Sequence, residues 1–341
     1  MKRKHVFCVL SALVLLLFVF SLFGCLEREP EPNNRVFYDY FDTVCVLYDY
    51  TGMESEDFES LSRSVEAAIS HYHRLFDAYH EYADTVNIAT LNKLAGSGEV
   101  KVDRAIIDLL LFSAEMYEKT DGSVNFAMGA VTMLWKSAAA EKRVPTEAEL
   151  LAAGAHISPS SVIINKERGT VEILDSASKI DVGAIAKGYT AERIKEELSL
   201  SGNSGIILDM GGNLCAIGER PGGKGWESGI RNPLYLEGAE EPYVRTVTLR
   251  DGSLVTSGVY ERYYTVNGKK YHHIVDPVTL MPEYRYLSVT VLASDSGVAD
   301  ALSTAIFNME EERAKAFVSS FDEEIEVTLV FPDGNHTVIK N

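Results

Sequence analysis

Asp300 and Thr304 stand four positions apart in the stretch Ser294 to Phe307, which reads Ser-Asp-Ser-Gly-Val-Ala-Asp-Ala-Leu-Ser-Thr-Ala-Ile-Phe. The spacing predicts a helix over 294–307, and at i,i+4 a carboxylate and a hydroxyl share one helix face. Ser294 or Asp295 can cap that helix, and Ala299, Ala301, Leu302, Ala305 and Ile306 suit its interior. Two hard oxygen donors on an otherwise apolar face suit Mg2+ better than a soft metal. For this helix alone the alternative is a surface aspartate and a threonine bonded back to its own helix.

Three further clusters bear chemistry. Lys179 to Tyr189 reads Lys-Ile-Asp-Val-Gly-Ala-Ile-Ala-Lys-Gly-Tyr. A strand ending at Asp181-Val182 turns through Gly183-Ala184 into a helix, which leaves backbone groups free for a ligand or metal and puts Lys187 within reach of a phosphate. Ile206 to Asn213 reads Ile-Ile-Leu-Asp-Met-Gly-Gly-Asn, and paired glycines after a strand permit close approach of backbone to a diphosphate. The third glycine and following helix of a dinucleotide fingerprint are absent, so a plain Gly-Gly turn is the alternative. Finally, Ser257 to Arg262 precedes a hairpin that ends at Tyr271-His272-His273-Ile274-Val275-Asp276-Pro277. Adjacent histidines on a strand point to opposite faces, so at most one serves a given site, and either is a candidate general base near pH 7. The cluster His71, Tyr72, His73, Tyr79, His80 and Tyr82 runs around a helix and reads as packed aromatics, with one tyrosine available to a pocket. No zinc spacing, Walker loop or nucleophile elbow occurs.

The elements that must position these residues divide into helices early and strands late. Val36 to Tyr50 reads as one strand, Ser55 to Tyr79 as an amphipathic helix, and Asp103 to Lys119 as a helix capped by Asp103. Helices are expected at 126–136, 145–153, 183–198 and 309–320. Strands are expected at 161–165, 171–174, 178–182, 204–209, 213–217, 243–250, 253–257, 260–267, 270–275, 286–292, 325–331 and 336–340. Asn267-Gly268 is a strong hairpin turn. The pattern is α+β rather than a doubly wound parallel sheet.

The amino terminus points to a compartment. Lys2, Arg3 and Lys4 precede an uncharged run from Val6 to Phe23, and Gly24-Cys25 follows. Residues 1–24 read as a lipoprotein signal peptide with Cys25 as the lipidated residue; a signal anchor that stays uncleaved is the alternative. Residues 25–35 read as a flexible tether, and 36–341 as the folded domain, extracytoplasmic and lipid-anchored to the cell membrane. Residues 1–24 hold three basic and no acidic side chains, so a formal charge of −18 becomes −21 without them. Such acidity argues against nucleic acid as a partner and requires a local cation for any anionic ligand. Cys45 and Cys215 read as two buried thiols, with a disulfide between them as the alternative.

In order and spacing these elements resemble the ApbE-type flavin transferases, from about residue 36 to the end. The match runs through Phe41-Asp42-Thr43, Leu75 to Tyr79, Leu91-Asn92 and Thr120 to Asn125. It continues through Asp181 to Tyr189, Gly211-Gly212-Asn213, the Ser257 to Arg262 and His272 to Pro277 segments, and Ala299 to Thr304. The resemblance implies that 36–341 is the catalytic domain, T-fold-related, with its active site in a cleft between two lobes. It implies Mg2+-dependent transfer of FMN from FAD to a threonine hydroxyl of an acceptor flavoprotein, with release of AMP. By the same resemblance Mg2+ would be held by Ala184, Asp300 and Thr304. Phe41, Tyr79, Ser123, Val124, Asn125, Asp181, Lys187, Gly211 and Gly212 would bind FAD, and His273 would take the threonine proton. The implied partners are membrane or extracytoplasmic electron-transfer flavoproteins.

Several positions depart from the family pattern. Phe41 replaces a methionine, Asn125-Phe126 stands for an Asp-Pro-like pair, Leu280 replaces a glycine, and the Asp84 to Asn92 segment lacks a Ser-Glu pair. Two other functions use the same features: an extracytoplasmic FAD pyrophosphatase, and a solute- or flavin-binding lipoprotein. Against the binding lipoprotein, residues 240–292 read as consecutive strands rather than alternating α/β units.

Overall fold

The computed structural model describes residues 31–341, so the expected signal peptide and Cys25 lie outside the described residues, as does most of the expected tether. In chain order a hairpin of β1 (Asn33–Tyr40) and β2 (Thr43–Asp49) leads to helices α1 (Ser55–Phe76) and α2 (Ile88–Lys93). Strand β3 (Val100–Lys101) and helices α3 (Arg104–Lys119), α4 (Gly129–Ala140) and α5 (Glu147–Gly154) follow. Then come β4 (Val162–Asn165), β5 (Thr170–Ile173), α6 (Ala186–Leu200), β6 (Ile206–Met210) and β7 (Asn213–Ile217). The strand-rich part holds β8 (Trp226–Arg231), β9 (Tyr243–Leu249), β10 (Ser253–Gly258), β11 (Tyr263–Val266), β12 (Lys269–His272) and β13 (Ser288–Ala293). Helices α7 (Ser296–Phe307) and α8 (Glu311–Val318) and strands β14 (Glu326–Val330) and β15 (His336–Lys340) close the chain.

The fold is α+β. Eight strands make one sheet in the order β1-β2-β6-β7-β10-β13-β14-β15, and every pair in it is antiparallel. Side chains alternate between its faces. Ile206, Leu208 and Met210 of β6, with Cys215 and Ile217 of β7, meet Phe58, Val65 and Ile69 of α1 and Ala191, Ile194 and Leu198 of α6. On the same face α7 buries Leu302, Ala305 and Ile306 with Val255, Val289 and Val291. The opposite face, through Ile207, Ala216 and Leu254, is covered by the β8–β9 ribbon with Trp226, Ile230 and Val247. Both Cys45 and Cys215 are buried free thiols. Among the described residues no helix is long and apolar enough to cross a membrane.

Four local expectations change. The strand expected over 36–50 is a hairpin that starts at Asn33, inside the expected tether. Asp39, Phe41 and Asp42 take left-handed φ values of 66°, 51° and 53° and reverse the chain between Tyr40 and Thr43, which pair. Asn33 is drawn in by its amide, which donates to the buried Asp49 carboxylate at 3.0 Å. Helix α1 stops at Phe76 because the Asp77 carboxylate accepts from the amides of Tyr79 and His80, at 2.8 and 3.1 Å, and bends the chain away. Residues 178–182 form no sheet strand. Their Ile180 is held instead by the Asn92 side chain, which donates to its carbonyl and accepts from its N–H at 2.8 and 2.6 Å, a side-chain amide standing in for a strand. Strand β8 was not expected at all.

Helices α6 and α7 cross backbone to backbone at Gly188, where a Cβ would lie 2.2 Å from Ser296 O and 2.5 Å from Asp300 Cβ. Gly188→Ala is therefore expected to destabilise the fold by about 3 kcal/mol, read as a lowered urea midpoint. A loss under about 1 kcal/mol would mean that the two helices part without cost.

Candidate active site

Residues 33–341 form one compact unit, and the cleft expected between two lobes is a cavity of about 490 Å³ within it. The α6–α7 pair, the end of β10, α4 and the β11–β12 hairpin wall it. Tyr79, Ser123, Val124, Asn125, Asp181, Ala184, Lys187, Gly211, Gly212, His273, Asp300 and Thr304 all line it. Phe41 does not. With a left-handed backbone, its ring packs edge-on against His73 at 5.4 Å between centroids, its N–H donates to His73 Nδ1, and Asp42 and Thr43 reach the cavity in its place.

The cation side of the cavity follows from one diverted hydrogen bond. In a regular helix the Gly188 N–H would bond the carbonyl of residue 184; here it donates to Asp300 Oδ2 at 2.8 Å. Ala184, two residues before the first residue of α6, is left with a carbonyl that accepts no backbone hydrogen bond among the described residues. Asp300 is only 4% exposed, and burial raises its carboxyl pKa against the pull of Lys187 and the Gly188 N–H. Asp295 is the cap of α7, accepting from the Val298 amide at 2.8 Å. The helix-bonded hydroxyl proves to be that of Ser303, which donates to Asp300 O at 2.9 Å, while Thr304 Oγ1 sits 3.4 Å from Ser257 Oγ. Among the described residues no three His, Cys, Asp or Glu side chains converge as a metal cluster. A freed carbonyl, a buried carboxylate and a hydroxyl are oxygen donors only. They fit a hard cation whose remaining positions come from water or substrate.

Lys187 also lines the cavity and makes no ion pair among the described residues. The Gly211-Gly212 turn, with φ of 66° and 86°, is held by the Asp209 carboxylate, which accepts from Gly212 N at 3.1 Å. A Cβ at Gly211 would lie 1.9 Å from Thr43 Oγ1, so only glycine lets the two strand ends close. Asp181 accepts from Tyr79 OH at 2.9 Å, Thr132 Oγ1 at 2.6 Å and Gly183 N at 2.8 Å. Burial against the wall and the Asp181 carboxylate push the Tyr79 phenol well above its usual pKa, so it stays a donor. The Lys136 ammonium lies 3.3 Å from the centre of that ring. Asn125 spends its amide on the fold, donating to Ile157 O and accepting from Ala127 N, both at 2.9 Å; it shapes the Ser123–Asn125 turn.

The two histidines separate by role. His272 is buried: its Nε2 donates to Glu283 O at 2.7 Å, its Nδ1 accepts from Ile274 N at 3.3 Å, and its ring edges Tyr284 and Phe307. Both nitrogens are used. His273 opens to the cavity and donates from Nδ1 to Arg262 O at 3.1 Å, which leaves the Nε2 lone pair free. Although the ring meets solvent through the cavity, the crowded walls and the Arg262 cation hold its pKa below the usual imidazole value. Arg262 in turn faces Asp42 across the mouth at 3.8 Å.

Sequence reasoning missed an aromatic wall. Trp135, Tyr264 and Tyr271 line the cavity with centroids 5.7–6.5 Å apart. Trp135 Nε1 donates to Leu280 O and Tyr264 OH to Arg143 O, both at 2.9 Å, so the wall is rigid. Leu280 keeps a left-handed φ of 59°, the conformation a glycine would take freely. The alternation Tyr264–Tyr271 across the Asn267-Gly268 turn was the available signal; Trp135, far off in sequence, offered none.

The ApbE family profile matches residues 42–329. A protein of Treponema pallidum named FAD:protein FMN transferase is 34% identical over 264 residues, 73% of this chain and 72% of its own. One of Klebsiella pneumoniae with the same name is 30% identical, covering 78% and 83%. The crystal structure of the ApbE protein of Thermotoga maritima superposes with a TM-score of 0.80 at 25% identity, covering 91% of this chain and 97% of that one. The Vibrio cholerae flavin transferase ApbE, at 20% identity and a TM-score of 0.71, shares the fold. The chain belongs to the ApbE family and is an enzyme of the transferase class.

Proposed function

We propose that the chain is an FAD:protein FMN transferase that moves FMN from FAD onto a threonine hydroxyl of an acceptor flavoprotein and releases AMP. The observation that carries this reading is one cavity lined by Ala184, Asp300, Thr304, Lys187 and the Gly211-Gly212 turn, together with an imidazole with a free Nε2. The names of the relatives support transfer of FMN from FAD to a protein.

Ala184 O, Asp300 and Thr304 would hold Mg2+, which when bound neutralises charge on the diphosphate. Lys187 and the glycine amides orient the phosphates. His273 Nε2 accepts the threonine proton as Oγ forms a bond to the FMN phosphorus. The bond from that phosphorus to the bridging oxygen breaks, and AMP leaves with the oxygen. Asp181, Tyr79 and the aromatic wall bind the remainder of FAD. Trp135→Ala is expected to raise the KM for FAD about tenfold by loss of stacking area, with kcat changed less; an unchanged KM would take the wall out of substrate binding.

The deciding experiment incubates the chain with FAD, Mg2+ and a threonine-bearing FMN-acceptor domain. It reads AMP release together with covalent flavin fluorescence in a denaturing gel. A fluorescent acceptor band that disappears with EDTA is expected. AMP without a band would make the chain an FAD pyrophosphatase, and FAD binding without turnover would make it a binding lipoprotein. We also propose that Cys25 is diacylated and holds the enzyme outside the cytoplasmic membrane, a reading supported by Lys2-Arg3-Lys4, the apolar run and Gly24-Cys25. Cys25→Ser should release it from the membrane fraction, and retention there would favour the signal anchor.

A further inference from the structure

Ser296, the first residue of α7, sits where three elements meet. Its N–H donates to Glu192 Oε2 of α6 at 2.8 Å. Its hydroxyl donates to Asn213 Oδ1 at the start of β7, at 2.9 Å. Its carbonyl abuts Gly188 so closely that no Cβ fits between them. A helix leaves its first N–H groups without intrahelical partners, and here the neighbouring helix supplies one. Two rungs therefore join α6 to α7: Gly188 N to Asp300 Oδ2 and Glu192 Oε2 to Ser296 N. They are four residues, one helical turn, apart on both helices. The first rung reaches the cavity through Asp300; neither residue of the second, Glu192 or Ser296, lines it.

Glu192 is 7% exposed. Its other oxygen is 3.7 Å from Lys195 Nζ, which also donates to Ser294 O, at 2.8 Å, in the segment leading into α7. A buried charge held by such a pair adds little net stability over an apolar pair of the same volume. What an apolar pair cannot do is accept a hydrogen bond from one chosen amide. We propose that Glu192 is a positioning residue. It fixes the height of α7 against α6, and through that the separation of Asp300 and Thr304 from the Ala184 carbonyl. The inference rests on reading those three residues as the ligands of the cation.

The test titrates Mn2+ into the full chain in detergent and reads bound metal by electron paramagnetic resonance, beside thermal unfolding of each variant. Glu192→Gln keeps an acceptor for Ser296 N, and its Mn2+ affinity is expected to stay within threefold of the unaltered chain. Glu192→Met fills the same space without an acceptor. It leaves Ser296 N without its acceptor, so it is expected to lower the unfolding midpoint while staying folded at the assay temperature, and to bind Mn2+ about 10- to 100-fold more weakly, the range for residues that orient metal ligands. Glu192→Met with undiminished Mn2+ affinity would overturn the proposal, leaving Glu192 a packing residue. Asp300→Ala is the control: if it binds Mn2+ as tightly as the unaltered chain, the ligand assignment fails and takes the coupling with it.

Discussion

Asp300→Asn is expected to lower AMP release from FAD by roughly 10³-fold or more, the scale expected when the cation that stabilises a diphosphate transition state loses its charged ligand. The variant separates charge from shape. Asparagine keeps an oxygen that accepts from Gly188 N, as Asp300 Oδ2 does at 2.8 Å, so the α6–α7 crossing survives and the unfolding midpoint should stay close to that of the parent. The carboxylate is buried and its pKa is raised by desolvation, so the neutral amide is no harder to bury than the acid it replaces. The residual rate should no longer respond to EDTA. Activity within tenfold of the parent would remove Asp300 from the cation's ligands.

The second large effect concerns His273, the proposed base. His273→Ala is expected to slow transfer to the acceptor by about 10²- to 10⁴-fold, the usual worth of a positioned base, with FAD binding largely retained. Its pH dependence has a definite sign. The cleft walls and Arg262 hold the His273 pKa below the usual 6.5, and the working form is neutral imidazole. The acid limb of kcat/KM therefore lies below pH 6.5: activity persists as pH falls through 6.5 and is lost only when the lowered pKa is reached. His273→Ala removes that limb along with most of the rate. A limb centred above pH 7, or one that persists in the variant, would assign the titration to another group. The neighbouring His272→Ala behaves differently. It loses a buried ring packed on Phe307 and Tyr284 and leaves Ile274 N and Glu283 O without their partner. The expected cost is about 2–4 kcal/mol of stability, seen in the unfolding midpoint.

How much was legible depended on whether a residue's role was set locally. The α7 helix, its cap and the shared face of Asp300 and Thr304 are consequences of spacing within fourteen residues, so the chain displays them openly. The α+β division and the Asn267-Gly268 turn were legible for the same reason. The Gly188 bond that frees Ala184 was not, because its acceptor lies 112 residues away. Phe41 shows the limit of motif resemblance. Alignment supplies a position, but three left-handed residues in the hairpin turn decide which side chain faces the cavity, and they turn Phe41 onto His73. Asp39 and Asp42, two aspartates within a run of β-formers, were the available mark of that turn. Strand β8 could have been found, since Trp226 and Ile230 alternate with polar residues and are buried, but Gly229 in its middle weakens the pattern. Asn92 standing in for a strand leaves no periodic trace of any kind.

The hairpin that carries both histidines has a parity. Tyr263 faces His272, and His273 continues the ladder through Arg262 O. Because successive side chains take opposite faces, one residue added to the β12 arm after the Asn267-Gly268 turn would exchange the two rings. His273 would then take the face that packs on Phe307, and His272 the other. Two residues added together would restore the facing. Length variation in this arm among working relatives should therefore come in even steps, so that this short ribbon acts as a counter on which insertions the active site survives.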